Sequence, residues 1–140
     1  MRAVALAAVL VLASAVGAWA ADAGYWPKDA SVYIITPRNG ATVKNPITVR
    51  FGLKGVGVAP AGVNYPNTGH HHLLIDTDLP SNLDQPLPVT DNIKHFGKGQ
   101  TETTLSLPPG KHTLQLVVGD MNHVPHDPPL KSKKITINVE

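Results

Sequence analysis

Short stretches of alternating hydrophobic and polar residues recur along the chain, and segments rich in Pro and Gly separate them. Ile47, Val49, Phe51 and Leu53 show the pattern most clearly, because a smaller or more polar residue follows each of them. Alternation with a period of two places one set of side chains on a single face of a β-strand. The pattern predicts strands at residues 31–36, 47–53, 71–76, 101–107, 112–118 and 135–139.

The spacing that marks an amphipathic helix is nearly absent. No segment after residue 20 has hydrophobic residues at i, i+3, i+4 and i+7 over three turns, and the chain has 13 prolines. Residues 55–69 and 119–129 are predicted loops, and residues 78–96 a crossing loop with room for one short element. Short strands separated by turns are typical of an all-β sandwich, so we predict one antiparallel β-sandwich of about seven strands.

The first 20 residues have the layout of a secretory signal peptide. Arg2 precedes an uncharged, largely apolar run, and Ala18-Trp19-Ala20 fits the pattern at which such peptides are cleaved. The apolar run is shorter than the ~20 residues that span a bilayer, which favours cleavage over a membrane anchor. We expect a periplasmic or secreted protein with no membrane span after cleavage. The expected divisions are a signal peptide at 1–20, an N-terminal extension at 21–30 and a single domain at 31–140.

The chain contains no Cys. This excludes a lipid anchor on Cys, thiolate zinc sites, Cys nucleophiles and the Cys ligand of a blue-copper centre. Arg2 is the one basic residue among the first 20, so residues 21–140 carry 11 basic residues against 10 acidic ones. The charges form no basic stripe, and we therefore expect no nucleic-acid partner.

All seven histidines lie within a span of 57 residues, and three of them are consecutive. Neutral imidazole is a good ligand for borderline metal ions. If Leu73 and Ile75 face the core of a strand, His70 and His72 share the opposite face, where two imidazoles can reach one ion. Because Leu73 and Leu74 are both apolar, the opposite register stays open.

A second group of candidate ligands lies in the predicted loop 119–129. His123 and His126 are three residues apart, and Met121, whose thioether favours reduced copper, is close to both. The alternative is a solvated loop whose polar residues cap turns. In an immunoglobulin-like sandwich this loop and the loop before His70 lie at the same end. Topology therefore predicts that the two groups meet, and this predicted meeting places metal binding first.

Carboxylates and one further histidine complete the candidate site. Asp120 and Asp127 are placed to ligate the ion or to orient a ligating imidazole. Asp76, at the end of the predicted strand 71–76, is a candidate for orienting an imidazole. His95 is a candidate fourth ligand if its loop folds back over the same end. It is equally placed to form a structural pair with Asp76 or Asp78.

Copper is the preferred ion, and zinc is the second choice. Divalent copper outcompetes other first-row ions at nitrogen and oxygen sites, and an exported protein is exposed to metals. Without Cys, electron transfer of the blue-copper type is not expected. Buffering or delivery of copper fits better, with the metal ion or an exported protein as the partner.

The stretch Leu105-Ser-Leu-Pro-Pro-Gly-Lys-His-Thr-Leu-Gln-Leu116 resembles the turn between the E and F strands of immunoglobulin-like domains. Those domains often have a Tyr where His112 stands, and that Tyr bonds back to the backbone across the corner. The resemblance implies a structural corner role for His112.

Longer motifs resemble the DUF4399 family of small exported bacterial proteins. The resemblance covers residues 31–140 and implies an immunoglobulin-like β-sandwich, but it supplies no reaction. The matching segments are Ile35–Gly40, Val49–Leu53, Gly69–Asp76, His95–Thr103, Leu107–Leu116 and Gly119–Pro129.

Two other classes of function compete with metal binding. An enzyme is not expected, because the chain has no P-loop, no G-x-S-x-G, no H-E-x-x-H and no carboxylate pair. The alternative is a non-catalytic envelope scaffold or a glycan-binding module with structural histidines, in which Tyr25, Trp26 and Tyr65 would stack on sugar rings. A metal site requires that the candidate imidazoles converge within about 5 Å.

Overall fold

The computed structural model describes residues 24–140, so the predicted signal peptide lies outside the described residues. All regular structure in this part of the chain is β, and no helix in it is long and apolar enough to cross a membrane. The nine strands are β1 (Ser31–Thr36), β2 (Thr42–Val43), β3 (Ile47–Lys54), β4 (Gly57–Val58), β5 (Thr68–Ile75), β6 (Ile93–His95), β7 (Glu102–Leu105), β8 (Gly110–Gly119) and β9 (Ile135–Val139).

The all-β prediction is confirmed, with nine strands rather than about seven. The predicted strands overlap every strand of four or more residues. The alternating pattern missed β2, β4 and β6, which have two or three residues each, because so short a strand carries no readable period. β6 lies in the segment predicted to be a crossing loop.

The strands form two sheets. One sheet has the order β1-β3-β7 and is antiparallel throughout. The other has the order β2-β9-β8-β5-β4, and β6 also pairs with β5. This second sheet is mixed rather than purely antiparallel, because β2 runs parallel to β9 and β4 runs parallel to β5. Both exceptions are two-residue segments of loops that pass beside the edge of a longer strand.

Hydrophobic side chains from both sheets meet in one core. Val49 and Phe51 of β3 contribute from the smaller sheet, and Leu73 and Ile75 of β5 from the larger. The opposite face of β5 is also covered, because Leu74 packs with Leu87, Ile93 and Val117 in a second cluster. β5 is therefore buried on both faces, which is why its sequence shows no alternation of apolar and polar residues.

Candidate metal centre

The three consecutive histidines of β5 point to opposite sides of the sheet. His71 faces the core, where its ring centroid lies 5.1 Å from that of Phe51. His70 and His72 face the other way, with ring centroids 4.8 Å apart, and both are buried. This is the register in which Leu73 and Ile75 face the core. Strand alternation alone thus brings two imidazoles together on one face.

β6 adds a third imidazole to the same face. Its antiparallel register with β5 places His95 directly opposite His72, and their ring centroids lie 5.2 Å apart. Residues opposite each other on neighbouring strands project to the same side of the sheet. The His95 ring also lies 5.0 Å from that of His70. Neither Asp76 nor Asp78 pairs with it among the described residues, since Asp76 bonds to His112 and Asp78 to Lys134.

The loop after β8 supplies the fourth imidazole. The carboxylate of Asp120 accepts hydrogen bonds from the backbone N–H groups of Asn122 at 2.8 Å and Val124 at 3.0 Å, which closes a tight turn around His123. His123 itself has a φ of 67°, a left-handed backbone conformation that residues other than glycine adopt rarely. The turn holds His123 in this conformation. Its Nδ1 lies 3.0 Å from Nε2 of His70, and one of these nitrogens donates to the other.

Four imidazoles therefore converge on one point, and we call them the histidine group: His70, His72, His95 and His123. Each offers one ring nitrogen, and these four nitrogens all lie within 4.8 Å of one another. Nitrogen ligands at the usual distance from a tetrahedral ion are about 3.3 Å apart, so small ring movements would close the group around an ion. The residues present fit a metal bound by four nitrogens.

Two glycines make room for these rings. A Cβ atom on Gly97 would lie 2.6 Å from Nε2 of His95, and one on Gly119 would lie 2.8 Å from Cε1 of His72. Both distances are far inside van der Waals contact. Sequence reasoning missed these two residues because a glycine beside a histidine carries no signal of its own. Only the folded structure shows which ring occupies the space.

Burial favours the neutral form of three of the four rings in the histidine group. It lowers the pKa of His72 to about 3 and that of His70 to about 4, and the neighbouring imidazoles act in the same direction. The pKa of His95 is also lowered, mainly by burial and to a smaller extent by the neighbouring His123. Neutral imidazole is the form that binds a metal, so these three rings do not need to lose protons near pH 7.

Several ring nitrogens in the group have no hydrogen-bond partner among residues 24–140. These are Nδ1 of His70, both nitrogens of His72 and Nε2 of His95. A buried polar atom without a partner costs about 1–3 kcal/mol, so such atoms are rare and call for an explanation. A bound ion would supply the missing partner for up to three of these rings.

His126, expected as a ligand, lies outside the histidine group. Its Nε2 is 2.7 Å from the second carboxylate oxygen of Asp120, and its ring stacks on Tyr25 at 3.6 Å between centroids. Asp120 therefore orients His126 and the turn around His123. Asp127 is exposed, and the carbonyl oxygen of Met121 accepts from Gly62 N–H. The close sequence spacing of His123 and His126 did not make their rings converge, because the His126 ring bonds to the Asp120 carboxylate and the His123 ring to His70.

His112 and Asp76 meet away from the histidine group. Nδ1 of His112 donates to Asp76 at 2.7 Å, and its Nε2 donates to the carbonyl of Pro108 at 2.7 Å. Asp76 also accepts from the backbone N–H of Thr113. The bond to Pro108 crosses the corner before β8, as a corner residue would do. Asp76, which directly follows the last residue of β5, therefore orients this corner histidine rather than a ligand of the group.

Fold and site together define a small all-β protein whose four clustered histidines can hold a metal ion. The family model described as "Domain of unknown function (DUF4399)" matches residues 49–140, and the chain belongs to this family. That range includes all four members of the histidine group. No curated protein matches the chain.

One solved structure is similar in part, the endo-beta-1,4-mannanase from Thermotoga petrophila. The similarity has a TM-score of 0.46 and 18% sequence identity, over 81% of this chain and 20% of the mannanase chain. The chain thus spans about one fifth of that protein's length. A likeness at this level transfers no activity.

Proposed function

We propose that this protein binds one transition-metal ion, with copper as the favoured ion, through His70, His72, His95 and His123. The observation that carries the proposal is the convergence of four ring nitrogens within 4.8 Å. Three separate segments, β5, β6 and the loop after β8, supply them. A metal site requires such a convergence. Binding an ion would also supply partners to ring nitrogens that have no hydrogen bond among residues 24–140.

The donor set narrows the choice of ion. Imidazole suits zinc, copper, iron and nickel, whereas magnesium, calcium and manganese favour oxygen ligands. The nearby carboxylate of Asp120 is already engaged by His126 and by two backbone N–H groups. Among the remaining ions copper(II) binds most tightly, and zinc fits a four-nitrogen tetrahedron. Copper is therefore the first choice and zinc the second.

The arrangement favours holding and releasing an ion over chemistry on a substrate. Four protein ligands leave a tetrahedral ion no open position, which is typical of closed rather than catalytic sites. His95 and His123 are only partly buried, which favours exchange of an ion with solvent. Together with the signal-peptide pattern of residues 1–20, this supports buffering or delivery of the ion outside the cytoplasm.

A titration of tag-free protein spanning residues 21–140 tests the proposal. Copper(I), copper(II) and zinc are each titrated against a competing chelator, with His72→Ala as the site variant and His112→Gln as the matched histidine control. We expect one ion per chain with a sub-micromolar Kd, a loss of at least about 100-fold in His72→Ala and no loss in His112→Gln. Weak, multi-site binding that His72→Ala leaves unchanged would contradict the proposal.

The second candidate is a non-catalytic envelope scaffold whose histidines are structural. The hydrogen bond between His70 and His123 favours it, because it shows that these rings also satisfy each other directly. A sugar-stacking surface built from Tyr25, Trp26 and Tyr65 is less well supported. Trp26 is buried, and the exposed ring of Tyr25 is already stacked on His126. Absence of tight metal binding in the titration would favour the scaffold.

A further inference from the structure

The segment before β1 reaches the loop that carries His123. The indole Nε1 of Trp26 donates to the carbonyl oxygen of Pro125 at 2.7 Å, across 99 residues of sequence. Trp26 is buried, although it lies outside every strand. Its ring also covers Gly69, where a Cβ atom would lie 2.9 Å from the indole Cη2. Trp26 therefore contacts both the residue before His70 and the loop of His123.

Tyr25 extends the same contact to His126. The two rings are stacked, with centroids 3.6 Å apart and planes 6° from parallel. Tyr25 also packs edge-on against Trp26 at 4.8 Å. His126 in turn bonds to Asp120, whose other carboxylate oxygen closes the turn around His123. A continuous chain of contacts thus runs from Tyr25 to the backbone of His123.

We propose that Tyr25, Trp26, His126 and Asp120 form a clamp that positions His123 for metal binding. The inference rests on the proposed function and adds residues that touch no metal ligand atom. His123 is the one member of the histidine group that comes from a loop rather than a strand. A loop ligand has many accessible positions, and fixing it before binding removes part of the entropic cost of forming the site. The clamp therefore raises affinity without contributing a ligand.

Tyr25 is the best residue for a test, because it is 52% exposed and lies outside the hydrophobic core. Zinc affinity is measured by chelator competition, and the ligand-field spectrum of bound cobalt(II) reports whether His123 is still coordinated. The variants are Tyr25→Ala, Tyr25→Phe, which keeps the stacked ring, and Tyr65→Ala, which removes an exposed Tyr elsewhere. His123→Ala gives the spectrum of a site that has lost this ligand.

We expect the Kd for zinc to rise about tenfold to 100-fold in Tyr25→Ala, in line with changes to groups that orient metal ligands. Its cobalt spectrum should shift towards that of His123→Ala, while Tyr25→Phe and Tyr65→Ala match the parent protein. A Kd and spectrum for Tyr25→Ala equal to those of the parent protein would overturn the clamp. Absence of both copper and zinc binding by the parent protein would overturn the proposed function, so the two failures are distinguishable.

Discussion

At the scale of single residues, the space beside a ring matters as much as the ring. Gly97 has no Cβ, and the His95 ring occupies the position that a Cβ would take. A Cβ at Gly97 would push the ring out of its present position beside His70 and His72. An atom added to Gly97 is therefore a way to disturb the histidine group without removing a ligand.

We predict that Gly97→Ala raises the Kd for zinc about tenfold or more, through displacement of His95. The folded protein should remain, with a midpoint of thermal unfolding close to that of the parent. Gly57→Ala is the matched control, because a Cβ there meets Thr68 Cγ2 at an ordinary 3.4 Å. Chelator competition and thermal unfolding check both variants. Parent-like affinity in Gly97→Ala would show that His95 is not needed as a ligand.

His112 gives a second prediction at this scale, concerning pH. Both of its ring nitrogens face acceptors, so the doubly protonated form fits best, and the hydrogen bond to Asp76 is the main cause that raises its pKa. A raised folded-state pKa contributes stability that is fully present below the ordinary value of 6.5. The contribution is lost as the pH rises through the folded-state pKa.

We therefore expect His112→Gln to be less stable than the parent by about 2 kcal/mol at pH 6, from the loss of hydrogen bonds to a charged group. The difference should shrink towards pH 9. Urea unfolding of both proteins at the two pH values measures it. Asp76→Asn is the control, because Asn tolerates the left-handed φ of 55° and removes the charge. A stability difference between His112→Gln and the parent that does not change with pH would contradict this account. So would an equally large effect of His112→Gln when it is made in the Asp76→Asn protein.

At the scale of elements, β5 carries two opposite environments in adjacent residues. His71 lies in the core against Phe51, and His72 lies in the histidine group. Both rings are completely buried, and neither has a hydrogen-bond partner for its nitrogens among residues 24–140. His71 and His72 thus have the same side chain and the same burial, and they differ only in the face of β5 on which they lie.

We predict opposite outcomes for the same substitution at these two positions. His72→Leu should abolish tight zinc binding, because it removes a ligand. His71→Leu should retain the parent Kd and gain up to about 1 kcal/mol of stability, because it removes unpaired polar atoms from the core. Zinc titration and urea unfolding of both variants provide the measurement. Equal loss of zinc binding in both variants would mean that His71 also contacts the ion or that β5 tolerates neither change.

The same strand shows how far the sequence predicts this site. Alternation placed His70 and His72 on one face, and the sandwich topology brought the loop of His123 to the same end. His95 stayed ambiguous, because its position depends on the pairing of β6 with β5, and three residues carry too little pattern to reveal a register. His126 lies outside the group for another reason. Its capture by Asp120 depends on the exact path of a loop, which residue spacing does not determine.

At the scale of the whole molecule, buried neutral histidines link stability to pH. Burial lowers the pKa of His70 and His71 to about 4 and that of His72 to about 3. In the unfolded chain these side chains return to about 6.5, so unfolding takes up protons below that pH. Stability is therefore fully present above pH 6.5 and falls as the pH drops towards 4.

We expect the free energy of unfolding of the metal-free protein to fall steeply between pH 6.5 and 4.5. Each proton that unfolding takes up contributes about 1.4 kcal/mol per pH unit to this fall. Urea unfolding at half-unit steps of pH gives the slope, which counts the protons. His71→Leu should reduce the slope by about one proton. A flat profile in this window would show that the three histidines are protonated in the folded protein.

Metal binding should act on the same equilibrium from the opposite side. The four ligands are spread over 54 residues, from His70 to His123, so the site forms only when both the sheet and the loop after β8 are in place. An ion that binds only the folded chain stabilises it by about 4 kcal/mol at a free concentration 1,000 times the Kd. We predict that saturating zinc raises the midpoint of thermal unfolding by several degrees at pH 7 and that EDTA reverses the change. His72→Ala should show no such rise, and His112→Gln should show the full one. Equal stabilisation of the parent and His72→Ala would mean that zinc binds outside the histidine group.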